Sequence, residues 1–233
     1  MEGGWAGPCF REICLHKGRK IVYTEKERSK ETSTRAERKG DGCTMMIALT
    51  GAGISAASGI PTFQAQPGVR RKLTRSFAKR RPAEHREVIR QMTEACRQAA
   101  PNDAHYALAE YHIPVITMNV DGLHQKAGSA FVLPIHGNLP DIVLYDDPAP
   151  LYPTAFEWVL RLGEYDTLLV IGTSYYTAIS VELKKLAQRN GARVLEITED
   201  AEHQVRAFLE NNHVAKNSDE LFFARQNGRR KRE

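Results

Sequence analysis

Met46-Ile47-Ala48-Leu49-Thr50-Gly51-Ala52-Gly53-Ile54-Ser55-Ala56 is the stretch that decides the fold. Its first half is a nearly unbroken apolar run, which reads as a strand covered on both faces in a parallel sheet. G-x-G-x-x-A follows at once, in the strand–turn–helix setting that a phosphate-binding loop requires. The first glycine allows the tight turn, the second lets backbone approach a pyrophosphate, and Ala56 lets a helix pack closely on the strand. Free N–H groups at the helix start then face the phosphate. A tight turn with no ligand is the plainer alternative. A hydride-transferring dinucleotide enzyme places an acidic residue about 20 positions further on, to hold ribose hydroxyls. No Asp or Glu occurs from Gly42 through Ala83, which disfavours an ordinary dehydrogenase. A dinucleotide's ribose would have to be held by residues later in the chain.

Outward from this stretch the pattern alternates. Strands are predicted at Val115–Met118, Phe131–Leu133, Ile142–Leu144, Leu168–Ile171 and Val194–Ile197. Helical patterns lie at Ala83–Ala99, Asp103–Tyr111, Thr154–Leu162, Val181–Asn190 and Ala201–Leu209. Asn102 is a cap for one helix, and Asn190-Gly191 a stop for another. Alternation of strand and helix predicts an α/β fold, a doubly wound Rossmann-like parallel sheet. The segment of about 64–100 is too long for a simple crossover and reads as a small helical insertion or lid. Ligands in such sheets bind at the carboxyl ends of the strands. Asn119 and Asp121, His136, Gly172-Thr173-Ser174 and Thr198-Glu199 all follow strands, so they are predicted to share one rim with the glycine loop.

Composition sets the bounds. The chain has 233 residues, 42% hydrophobic and 26% charged, enough for one domain with a small insertion. No run approaches the roughly 18 apolar residues of a membrane helix, and Met1–Trp5 does not open a secretory signal. Residues 1–44 are polar and read as a flexible extension, residues 45–213 as the folded domain, and residues 214–233 as a basic tail. Net charge is +5. The stretch from Arg70 to Arg90 holds nine basic and two acidic residues, but no aromatic interleaving or nucleic-acid motif accompanies them, so a solvated helix face is the preferred reading over nucleic-acid contact. Cys9, Cys14, Cys43 and Cys96 include no C-x-x-C pair, and none follows Cys96. That spacing excludes a four-cysteine zinc knuckle of usual form, and a partial site at Cys9, Cys14 and His16 is the weaker reading. Few, scattered cysteines fit a reducing cytoplasm.

With GAGISAASGIPTF, Pro101-Asn102-Asp103-Ala104-His105, NVDGLHQKAGS, IHGN and GTS in fixed order, the chain resembles the sirtuins, NAD-dependent protein deacylases, through most of Met45–Leu209. The resemblance implies NAD as cofactor and an acyl-lysine protein or peptide as partner, with nicotinamide and O-acyl-ADP-ribose as products. It implies His136 as the general base, Asn119 facing the nicotinamide ribose and a water, and Asp121 holding the carboxamide. The implied cofactor-facing set is Gly51, Ala52, Gly53, Ser55, Ile60, Phe63, Gln64, Met118, Asn119, Val120, Asp121, His136, Gly172, Thr173, Ser174, Thr198 and Glu199.

Departures from the family are as informative. The usual four-cysteine zinc module is expected to be missing after the His-Gly step, because Asn138-Leu139 runs straight into Pro140-Asp141-Ile142-Val143-Leu144-Tyr145. No zinc is therefore expected. Thr62 and Gln64 replace the Asp and Arg that flank the loop phenylalanine, Met118 replaces Gln, and Thr198 replaces Asn. Tyr145-Asp146-Asp147 replaces the Phe-Gly-Glu that helps to pair the peptide. Lost polar contacts of this kind weaken cofactor binding. Three readings stay open: deacylase, NAD hydrolase or ADP-ribosyltransferase, and a nucleotide-binding module without turnover.

Overall fold

Nine strands and eight α-helices are described in the computed structural model, which describes residues 14–16, 19–21, 44–60, 67–174 and 177–212. The strands are β1 (Cys14–His16), β2 (Arg19–Ile21), β3 (Met46–Thr50), β4 (Val115–Thr117), β5 (Val132–Pro134), β6 (Gly137–Asn138), β7 (Asp141–Ile142), β8 (Thr167–Ile171) and β9 (Arg193–Ile197). The helices are α1 (Pro67–Lys72), α2 (Arg75–Arg80), α3 (Pro82–Gln98), α4 (Asp103–Glu110), α5 (Leu123–Lys126), α6 (Tyr152–Leu160), α7 (Ala178–Arg189) and α8 (Ala201–Asn211). A 3-10 helix covers Ala52–Ser58.

The chain divides into two units, Met1–Cys43 and Thr44–Glu233. In the first, β1 and β2 form an antiparallel pair with Leu15 opposite Lys20, a hairpin that the polar composition did not predict. The Glu25–Glu31 run, Cys9, Phe63, Gln64 and the 214–233 tail lie outside the described residues.

In the second unit one parallel sheet runs in the order β5-β4-β3-β8-β9. Every residue of β3 and β8 is buried. The reason is period 2. Ile47 and Leu49 join Leu168 and Val170 against Ala155 and Val159 of α6 and Leu183 and Ala187 of α7. Met46 and Ala48 join Leu169 and Ile171 against Ala107 and Leu108 of α4 and Val205 and Leu209 of α8. Full burial of each large aliphatic side chain contributes about 1.5–3 kcal/mol, so a charge anywhere on these strands faces a packed layer. The doubly wound α/β architecture is as the sequence predicts. Its direction of winding reverses between β3 and β8, which opens a crevice at their carboxyl ends.

The insertion folds as α1, α2 and α3 around a small cluster of Leu73, Val88 and Leu144. Thr74 caps α2 by accepting from Phe77 N–H at 3.2 Å. Pro82 opens α3, where its missing N–H costs nothing. At the far end Lys126 Nζ donates to the carbonyls of Cys96 (2.7 Å), Arg97 and Ala99, tying the insertion back to α5.

One expectation needs correction. Ile142–Leu144 is not a strand of the parallel sheet: β7 pairs antiparallel with β6, and Leu144 packs on the insertion. The helix predicted after the glycine turn takes 3-10 form and ends at Gly59.

Candidate active site

The crevice is built by strand ends that are stitched together through backbone. Gly51 N–H donates to Ile171 O at 3.0 Å, Gly53 N–H to Gly172 O at 2.9 Å, and Gly172 N–H to Ile197 O at 2.8 Å. The loops after β3, β8 and β9 therefore share one rim. Their approach requires glycine. A Cβ on Gly53 would lie 2.6 Å from Gly172 Cα, and Gly172 itself holds φ +59° with its missing Cβ directed at Ile54 N. Bare backbone at both positions lets the loops after β3 and β8 meet backbone to backbone, forming a glycine-lined cradle of the close approach that a pyrophosphate loop requires.

Beside the cradle lies a polar network from β4. Asn119, 8% exposed, donates from Nδ2 to Gly51 O at 3.1 Å and to Ser55 Oγ at 3.0 Å. Its own N–H is fixed by Thr117 Oγ1 at 3.1 Å. Ser55, 1% exposed, passes its proton on to Asp121 Oδ2 at 2.7 Å. Leu123 N–H, the first amide of α5, donates to Asp121 Oδ1 at 2.9 Å. Gly51, Ser55, Asn119 and Asp121 are thus one chain of donors and acceptors, brought from two strand ends.

His136 stands at the end of β5, half-buried. Its Nδ1 lies 3.1 Å from Met118 O and its Nε2 2.9 Å from the Tyr152 hydroxyl. Burial lowers its pKa from the ordinary histidine value, and the contact with the Met118 carbonyl opposes that shift. A neutral imidazole near pH 7 is the form that accepts a proton.

The remaining candidates are placed as follows. Ala52 opens the 3-10 helix and Ile60 lies just beyond it, both partly buried, with Ile60 N–H 3.4 Å from Ser55 O. Val120 accepts from Leu139 N–H at 3.0 Å, which brings the β6–β7 hairpin to the rim. Thr173 lies 3.4 Å from Ser180 Oγ, and Ser174 shares a 3.1 Å hydroxyl contact with Thr177. Thr198 and Glu199 follow β9 at the same edge but are exposed and join no part of the network.

Sequence reasoning missed three supports. Tyr152 reaches the His136 ring from the start of α6. Asn102, predicted only as a cap, also donates from Nδ2 to Ile54 O at 2.7 Å, pinning the glycine loop from below. His105 and His124, with ring centroids 4.8 Å apart, are buried behind the Asn119–Asp121 segment. His124 Nε2 meets Thr50 Oγ1 at 3.0 Å, while His124 Nδ1 and His105 Nε2 find no partner among the described residues. Burial pushes His105 down to about 4 and His124 down to about 3.

Among the described residues no group of three or more His, Cys, Asp or Glu is placed to hold a metal ion. Cys96 is buried and free, and burial pushes its thiol up to about 11, with the Asp121 charge adding to the shift. It is a poor thiolate ligand in that state.

A Rossmann-like sheet with a glycine cradle, an Asn–Ser–Asp network and a neutral histidine at one rim defines a dinucleotide-handling α/β domain. The family model described as the Sir2 family matches residues 51–141. NAD-dependent protein deacylase 2 of Archaeoglobus fulgidus is 32% identical over 198 residues, spanning 64% of this chain and 78% of that protein. An NAD-dependent protein deacetylase of Bacillus cereus is 33% identical over 200 residues, 65% of this chain and 81% of that protein. A crystal structure of a Sir2 homolog–NAD complex superposes with a TM-score of 0.66 at 23% identity, covering 72% of this chain and 89% of that one, which speaks to the fold. A Sir2 structure holding the inhibitor EX-527, 2'-O-acetyl-ADP-ribose and a deacetylated p53 peptide gives a TM-score of 0.63 at 25% identity, covering 73% and 95%. The chain belongs to the Sir2 family.

Proposed function

We propose that this protein is an NAD-dependent protein-lysine deacylase, acting on an acyl-lysine protein or peptide and releasing nicotinamide and O-acyl-ADP-ribose. The observation that carries the reading is the Asn119–Ser55–Asp121 network at 2.7–3.0 Å on the rim that also bears His136. Curated relatives named as deacylases and deacetylases support it. NAD, when bound, would supply an anomeric ribose carbon whose bond to nicotinamide breaks as the acyl-lysine oxygen bonds to it. Asp121 would hold the carboxamide, Asn119 would orient the ribose and a water, and His136 would take a proton from a ribose hydroxyl. The glycine cradle of Gly51, Gly53 and Gly172 receives the pyrophosphate, with Ala52, Ser55, Ile60, Phe63, Gln64, Met118 and Val120 around it and Thr173, Ser174, Thr198 and Glu199 toward the adenosine. An apolar cover at Phe63 keeps water from the reacting carbon.

The site belongs to a domain of residues 45–213 with its insertion at about 64–100, flanked by the 1–44 extension and the 214–233 tail. The expectation that no zinc is held draws support from the sequence, in which no cysteine follows Cys96, and from the short β6–β7 hairpin over Gly137–Ile142. A cytoplasmic location rests on the cysteine usage. No helix among the described residues is long and apolar enough to cross a membrane.

One observation favours a second reading, NAD hydrolysis or ADP-ribosyl transfer. The segment that resembles the peptide-pairing strand is engaged within the chain. Asp146 accepts from the backbone N–H of Arg75 and of Ser76, and Asp147 pairs with Arg75 at 2.5 Å. Tyr145 N–H donates to Leu73 O at 3.0 Å. Acyl-lysine peptide and NAD, followed for nicotinamide and O-acyl-ADP-ribose, decide between them. The deacylase releases nicotinamide only with peptide present, and His136→Ala abolishes formation of O-acyl-ADP-ribose. Release without peptide establishes the second reading. Binding of NAD with no nicotinamide from either reaction leaves a binding module and removes both.

A further inference from the structure

His136 has one neighbour on each ring nitrogen, and the two neighbours differ in kind. Met118 O, at 3.1 Å from Nδ1, is a carbonyl and can only accept. Nδ1 therefore carries the proton. In the neutral ring Nε2 is then bare, with a single lone pair. The group 2.9 Å from that lone pair is the Tyr152 hydroxyl, so the phenol is the donor. The rings lie at a centroid distance of 5.9 Å. Tyr152 is not a loose surface side chain. It stands in the first turn of α6, follows Leu151 at the cap, precedes Pro153, and packs against the core cluster of Ile47, Leu49 and Val170.

We propose that Tyr152 is a positioning residue for the base: its hydroxyl donates to His136 Nε2, holds the ring as the Nδ1–H tautomer, and caps the lone pair that the reaction needs. This rests on the reading of His136 as general base. It goes further, because a ribose hydroxyl can surrender its proton to Nε2 only after replacing the phenol there. Tyr152 and the substrate hydroxyl thus compete for one lone pair, and the base is covered while no substrate is bound.

The phenol is suited to that duty. Burial, and next the Glu182 charge on α7, raise its pKa above the ordinary tyrosine value, so it keeps its proton at neutral pH. The groups that bear on the His136 ring are the Met118 carbonyl from the end of β4 and Tyr152 from α6. Glu182 acts on the ring through Tyr152.

Tyr152→Phe tests this, since it deletes one oxygen and keeps the ring packing. The readout is the pH titration of the His136 Cε1–H signal in the ligand-free protein, assigned by its loss in His136→Asn. A donor to Nε2 favours neutral imidazole, so removing it moves the midpoint upward, by about half a unit to one unit. A midpoint that stays in place or moves downward overturns the proposal. The titration needs no turnover, so it separates this proposal from the functional reading. An upward shift in a protein that releases no nicotinamide keeps the cap and sinks the deacylase. In a turning-over protein the acidic limb of kcat/KM for NAD follows the same upward shift in Tyr152→Phe, and an unmoved limb counts against the cap.

Discussion

Ser55 is the residue through which the two halves of the site feel each other. Its oxygen accepts from Asn119 at 3.0 Å and its proton goes to Asp121 at 2.7 Å, and no water reaches a side chain that is 1% exposed. Ser55→Ala therefore strips a donor from a carboxylate and an acceptor from an amide at once. A hydrogen bond to a charged group contributes about 1.5–3 kcal/mol, and the expected result is a lower urea midpoint with NAD-dependent nicotinamide release reduced at least tenfold. Unchanged release would show that the network is scaffolding only. Asn119, Asp121 and His136 were legible in the sequence because each is a polar residue directly after an apolar run, and a sheet edge gathers such residues. Tyr152 was not, because it sits 16 residues past His136 inside an apolar helical face. Nothing in periodicity distinguishes a tyrosine that packs from one whose hydroxyl is aimed.

At the scale of elements the site depends on how closely two loops approach. Gly53→Ala places a Cβ 2.6 Å from Gly172 Cα, backbone against backbone, and neither side can rotate away. Overpacking of this kind costs about 1–3 kcal/mol, and the loops after β3 and β8 separate to relieve it. Calorimetry is expected to show ADP-ribose affinity falling more than tenfold while the circular dichroism of the sheet persists. Native affinity would mean that the cradle does not hold the pyrophosphate. Asn102→Ala attacks the same loop from beneath, removing both the α4 cap and the support of Ile54 O. The cap alone is worth about 1 kcal/mol, and the thermal midpoint is expected to fall. β3, β4 and β8 were legible because strands buried on both faces must be apolar nearly throughout, while the edge strand β9 showed only through Val194, Leu195 and Ile197 between the exposed Arg193 and Glu196. Ile142–Leu144 misled for the same reason: an apolar run reports that it is buried, not what buries it. Leu144 packs on Leu73 and Val88 of the insertion, a partner that lies about 70 residues earlier and leaves no local trace.

For the molecule as a whole, the buried histidines set its response to acid. His105 and His124 lie behind the β3 and β4 ends, joined to Thr50 and Asn102, and burial pushes them down to about 4 and about 3. In the unfolded chain both titrate near 6.5. Above that pH neither state carries the charge and the folded protein keeps its full stability. As pH falls below 6.5 the unfolded chain binds protons on His105 and His124 that the folded chain refuses, and the lowered His136 acts in the same sense. Stability then drops toward a limit of about 1.4 kcal/mol per pH unit for each histidine. The fall continues until the folded His105 begins to titrate near 4, and His124 lower still. The exposed His203–Asp200 pair works in the opposite sense, since Asp200 raises the His203 pKa, but solvent screens it. Urea midpoints measured from pH 8 to pH 5 are expected to be flat above 7 and to decline steeply below 6.5. His124→Gln, which removes one of these titrations, is expected to flatten that decline. A midpoint independent of pH over this range would mean that the pair is hydrated or already protonated in the fold. Because His124 holds Thr50 and Asn102 holds Ile54 O, the first region to loosen in acid is the floor of the glycine loop. ADP-ribose binding is therefore expected to fail at a higher pH than the one at which the sheet unfolds.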